Sequence, residues 1–199
     1  MHLSVRLLRQ AGPMTKSATP GIIAVVMRLH QLKVEFDAEQ DRLLMRVSTA
    51  SSEEAMLWLT RRCVLRLWEL LIGFVQSKPD IVARAADPAT QRTLIEFEHE
   101  KALSQATFSK PYEETQRVHP LGDAPLLVSR LQRRPTDDGR LVLGLLPAQG
   151  QGIFLTLDTT LLHGLMELLQ RAVDKAEWGF TLSLPAPQST ANPGSPTLN

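Results

Sequence analysis

This chain is short of the residues that mark the common catalytic and metal-binding families. It has one cysteine, Cys63, in 199 residues. That excludes an internal disulfide and any paired-cysteine zinc site, and it fits a reducing, cytoplasmic setting. No charge of either sign dominates, because 22 Lys+Arg against 21 Asp+Glu leave a formal charge of +1. A nucleic-acid binder working through bulk charge would be more basic, so any such role needs a local patch. Apolar runs are short. The run from Ile22 to Met27 falls far below the ~18–20 residues of a membrane span, and Pro13, Thr15, Lys16 and Ser17 interrupt what would otherwise read as a signal peptide. There is no serine elbow, no dinucleotide fingerprint and no phosphate cradle. Gln149–Gly152 is glycine-rich, but it joins two strands instead of leading into a helix. We therefore expect no enzyme: no catalytic, cofactor-binding or metal-ligating residue.

What the chain does contain is the same message twice. Sliding it by 98 positions lays Asp41–Leu71 over Gly139–Leu169 without a gap, and nine of the 31 columns are identical. They include Arg42 with Arg140, Leu57 with Leu155, Leu67 with Leu165 and Glu69 with Glu167. A repeat is a statement about architecture. In the first copy, Leu32, Val34 and Phe36 alternate with Lys33, Glu35 and Asp37, the period of a half-buried strand. Leu43–Val47 and Ala55–Leu59 follow as strands. Thr60 then has the side chain of a helix N-cap, and Val64, Leu67, Trp68, Leu71 and Val75 form an apolar helical stripe. The second copy reads Leu126–Leu131, Leu141–Leu145 and Ile153–Leu157 as strands. Asp158 stands in the column of Thr60 and opens a Leu-rich helix.

The expected fold is α+β: a duplicated strand–strand–strand–helix unit, with antiparallel sheets each covered by a helix. Residues 1–27 form a flexible N-terminal extension, although Ile22–Val26 has the alternative of lengthening the first strand. Residues 28–184 form one domain from repeats 28–78 and 125–184, joined by a helical insert and linker over 79–124. Asp87–Pro88 opens the insert helix, a cap followed by proline in the first turn. Trp178–Leu184 alternates and is expected as a final strand. Residues 185–199 carry no charged side chain and four prolines, a composition of disorder.

The strings Glu39-Gln-Asp-Arg-Leu-Leu44 and Leu57-Trp-Leu-Thr-Arg-Arg62 resemble a family of uncharacterised, mostly proteobacterial proteins, over roughly residues 28–75. That resemblance implies no activity. In layout, two sheet-plus-helix repeats also resemble the duplicated single-strand-binding fold of the Whirly type, although three strands precede each helix here where that fold has four.

Glu96-Phe-Glu-His99 has Glu-x-x-His spacing, but no second such pair exists to build a di-iron centre, so a solvated helix face is expected. His163 stands in the column of Leu65, a packed or flanking position. Cys63 stands in the column of Leu161, a core position. The most informative charges are Arg61, Arg62 and Arg66. Cations at a helix start work against the dipole, and the second copy has Thr159, Thr160 and Gly164 there. These three are the candidate partner-binding residues of a non-enzymatic binding or scaffold protein acting through protein–protein contacts. The alternative is single-stranded nucleic-acid binding across a sheet face, which six Phe, three Trp and one Tyr supply poorly with stacking rings.

Overall fold

Alternating side chains bury one side of a strand only when strands pair, and both copies of the repeat do so in the same order. The computed structural model describes residues 5–6, 24–27, 29–106, 112–113 and 117–184. Along the chain come β1 (Val5–Arg6), β2 (Ala24–Met27), β3 (Leu29–Asp37), β4 (Arg42–Thr49) and β5 (Glu54–Leu59). Three helices follow: α1 (Arg61–Gln76), α2 (Pro79–Arg84) and α3 (Pro88–Gln105). The second half is β6 (Leu126–Leu127), β7 (Arg130–Pro135), β8 (Leu141–Leu146), β9 (Gly152–Leu157) and α4 (Thr159–Ala176). The fold is α+β. One sheet has the order β1-β3-β4-β5-β6 and the other β2-β9-β8-β7.

The two halves share their register. Leu43 faces Leu59 and Met45 faces Leu57 in the first, as Leu141 faces Leu157 and Leu143 faces Leu155 in the second. These leucines are buried, and with the apolar stripes of α1 and α4 they form one hydrophobic cluster. The helices start at equivalent points. Thr60 accepts a hydrogen bond from the Cys63 amide at 3.2 Å, and Asp158 accepts one from the Leu161 amide at 2.9 Å. Each cap satisfies an amide that the helix itself leaves unpaired.

The lead strands are exchanged between the halves. β2 runs parallel to β9 with Met27 opposite Leu155, and β6 runs parallel to β5 with Leu126 opposite Leu57. Leu57 and Leu155 occupy the same repeat column, so each half delivers its lead strand to the other half's sheet. This corrects the boundary at residue 27. Ala24–Met27 belongs to a sheet, because without it the apolar strand β9 would present an open edge. Nor does this segment lengthen β3, since the two pair in different sheets. Val5–Arg6 likewise pairs with β3.

A second correction concerns Trp178–Leu184, which is not a strand. It is held by side chains instead: Trp68 Nε1 donates to the Ser183 carbonyl at 3.1 Å and Gln170 Nε2 to the Leu182 carbonyl at 2.7 Å. Trp178 and Leu182 are buried in the core, so the alternation reflects packing on the helices and not sheet pairing. The insert adds α2, which composition alone did not mark, and α3, capped by Asp87 through the amides of Ala89 and Thr90. Residues 185–199 lie outside the described residues, as does the rest of the N-terminal extension. No described helix is long and apolar enough to cross a membrane.

Candidate functional site

The first two turns of α1 form one wall of a groove of about 630 Å³; the opposite wall is the stretch from Leu127 to Gln132, where the chain leaves β6 and enters β7. Arg62, Arg66 and Arg130 line it, together with Leu70, Leu127, Val128 and Leu131. Among the described residues no carboxylate and no aromatic ring does so. Arg130 Nε donates to the Pro147 carbonyl at 3.0 Å, which fixes its stem. Among the described residues, Arg62 and Arg66 make no ion pair and are exposed. Beside the groove, a Cβ on Gly73 would lie 3.2 Å from Arg133 Nη1, the tip of a flexible side chain on β7.

Of the three arginines expected to act together, the structure gathers two. Arg61 turns away from the groove, donating to Asp41 Oδ2 at 2.7 Å and lying over the Trp178 ring. Trp178 Nε1 donates to the other Asp41 oxygen at 2.7 Å. These bonds hold the Asp41 carboxyl below its usual range, the indole bond contributing most. Arg61 therefore ties the C-terminal segment to the β3–β4 turn. Arg130 takes its place in the groove. No local motif marks Arg130, because it joins the others only through the exchange of strands.

Cys63 also lines the groove, but burial pushes its thiol up to about 11, so it stays protonated and is a poor nucleophile.

Two polar clusters lie elsewhere. On the first sheet, Glu54 is 2% exposed. It accepts from the Tyr112 hydroxyl and pairs with Arg46 at 3.1 Å, while His119 and Arg117 stand at 3.4 and 4.0 Å. Burial opposes its ionisation, but the Tyr112 bond and the Arg46 and Arg117 charges outweigh burial and hold the carboxyl low. The Tyr112 ring in turn packs under the Arg46 and Arg117 guanidiniums, at 4.9 and 5.3 Å. Burial and the bond to Glu54 drive its phenol well above the ordinary range. Tyr112 is thus a hydrogen-bond donor and a clasp for the linker, not a base. In the second half Gly144 and Gly152 stand where Arg46 and Glu54 do, and the Phe154 ring covers Gly144. The cluster belongs to one half only.

The second cluster corrects the solvated-face expectation for Glu96 and His99. Glu96 does face solvent, paired with Arg92 at 2.7 Å, but His99 is buried. Its Nδ1 lies 3.0 Å from Nδ1 of His163, and its Nε2 lies 3.7 Å from Glu167. The pair joins α3 to α4. Burial, with the neighbouring His99 and Lys78, pushes the His163 imidazole down to about 3. Among the described residues no group of three or more His, Cys, Asp or Glu could hold a metal ion.

No protein-family model matches the chain, and neither a curated protein nor a solved structure does.

Proposed function

We propose that this protein is a non-enzymatic binding module that receives an acidic, aliphatic segment of a partner protein in the groove between α1 and the β6–β7 stretch. The observation that supports this reading is the lining itself: among the described residues, three arginines, no carboxylate, and a floor of leucine and valine. Arg62 and Arg66, without an ion pair among the described residues, lose little on meeting a carboxylate, and the aliphatic floor adds the burial that charge alone does not supply. The reading places the protein in a reducing, cytoplasmic compartment, where Cys63 stays a thiol. Single-stranded nucleic acid is the second reading, favoured by Arg133 and Arg134 continuing the basic line along β7. It is weakened by the lack of an aromatic ring in the lining, because such binders stack bases on rings.

Fluorescence anisotropy with two labelled probes separates these readings: a short peptide of alternating Glu and Leu, and an oligothymidylate. We expect the peptide to bind at physiological salt and to weaken about tenfold or more in the Arg66→Gln/Arg130→Gln variant, while the oligonucleotide does not bind appreciably. Oligonucleotide binding at micromolar affinity, with a log–log salt slope that falls by about two in the same variant, would favour the nucleic-acid reading. If neither probe binds, the groove is not a docking site.

A further inference from the structure

α1 and α4 hold the same place in the two halves, but their outer faces are treated differently. On α4, the columns Thr160, His163, Gly164 and Glu167 are covered in part or in full: His163 and Glu167 meet His99 of α3 at 3.0 and 3.7 Å, His163 is fully buried and Gly164 is buried. The matching columns of α1 are Arg62, Leu65, Arg66 and Glu69. These are exposed, and Leu65 is 40% so, one of few large apolar side chains left in solvent among the described residues. Their spacing of i, i+3, i+4 and i+7 puts them on one side of the helix. None of the three charged members makes an ion pair among the described residues.

The order of charges on this face is self-complementary. Arg62 lies three residues before Leu65, and Glu69 lies three residues after Arg66. Turning the helix end over end about a point between Leu65 and Arg66 brings Arg62 onto Glu69 and Glu69 onto Arg62. A twofold contact demands such a patch, since it must match its own reverse. We propose that a second copy of this chain covers the face, the two α1 helices packing antiparallel across a twofold axis. Leu65 then packs against its mate and the aliphatic stem of Arg66, and two Arg62–Glu69 pairs flank the axis. α1 of the second copy does for α1 what α3 does for α4. The contact is one helix face wide, so it falls at the small end of specific interfaces and gives a weak, reversible dimer. It does not rest on the acidic-segment reading, because Leu65 and Glu69 do not line the groove. Arg62 and Arg66 border both surfaces, and the dimer sets the two grooves on opposite sides of its axis.

Sedimentation velocity of the full chain over a concentration series tests this, with circular dichroism to check that each variant is folded. We expect a monomer–dimer equilibrium with a dissociation constant on the order of 10–100 μM. Glu69→Arg alone places like charges across the axis and should weaken the dimer about tenfold or more, ~1.4 kcal/mol. Arg62→Glu/Glu69→Arg restores opposite charges in reverse order and should recover most of the loss. That recovery separates the proposal from a folding defect, which a second surface reversal would not repair. A monomer at every concentration, a dimer indifferent to Glu69→Arg, or a double reversal no better than the single one would each overturn it. Peptide binding by a chain that stays monomeric would leave the groove reading standing and this one refuted.

Discussion

Acid should loosen this protein through His163 before its carboxylates begin to titrate. The imidazole is fully buried between α4 and α3. The groups acting on it are His99 from α3, whose other nitrogen lies 3.7 Å from Glu167, and Lys78, which donates to Thr159 at the start of α4. Its folded-state value of about 3 lies below the ordinary 6.5. As pH falls, the unfolded chain therefore binds a proton that the folded chain refuses. The stability that His163 contributes is full above about pH 6.5 and declines below it. Each pH unit in that window costs about 1.4 kcal/mol, so one such group costs about 2 kcal/mol between neutrality and pH 5. His99 is pushed down in the same direction, by burial against the opposing pull of Glu167, and adds to the loss. Urea unfolding at about pH 7 and pH 5 measures the sum. His163→Leu isolates its share, since leucine stands in the matching column of α1. The variant loses the bond to His99 at both pH values, but its stability difference between them should shrink by about 2 kcal/mol. An equal difference in variant and wild type would refute the reasoning and mean that His163 takes up a proton without unfolding.

The Trp68→Ala change should cost about 3–5 kcal/mol, measured by denaturant unfolding, because Trp68 is 7% exposed and its indole also anchors the Ser183 carbonyl. An unchanged midpoint would place that side chain outside the core. Starting the chain at residue 29 instead of 23 removes β2 and should lower stability by about 2 kcal/mol or more, read from the thermal midpoint, because the β9 edge loses its ladder. Equal midpoints would show that β2 adds nothing. Glu54→Gln should destabilise by about 3–5 kcal/mol, since the buried Arg117 and the partly buried Arg46 are left around a neutral group. A loss below about 1 kcal/mol would mean that water reaches the cluster.

Local features were legible in the chain before any tertiary contact was known. The strand alternation, the N-cap columns Thr60 and Asp158, the opening of α3 at Asp87 and the shared helical stripes follow from period and cap chemistry, which a few neighbouring residues set. The α+β class and the common register of the two halves were legible for the same reason. Arg62 and Arg66 stood out because cations at a helix start act against the local field.

What depends on partners far along the chain was decided only by tertiary structure. Ala24–Met27 looks like an extension because its partner, β9, lies more than a hundred residues away. Trp178–Leu184 has the alternation of a strand, but that period reports one buried side and not what covers it. Arg61 and Arg62 are adjacent in sequence, yet one ties down the C-terminal segment and the other faces the groove, because neighbouring helical positions point about 100° apart. Arg130 enters the groove, His99 meets His163 and Tyr112 closes over Glu54 across separations that no local pattern encodes. Propensity and periodicity act over one or two turns, whereas these contacts arise when two sheets exchange strands around one core.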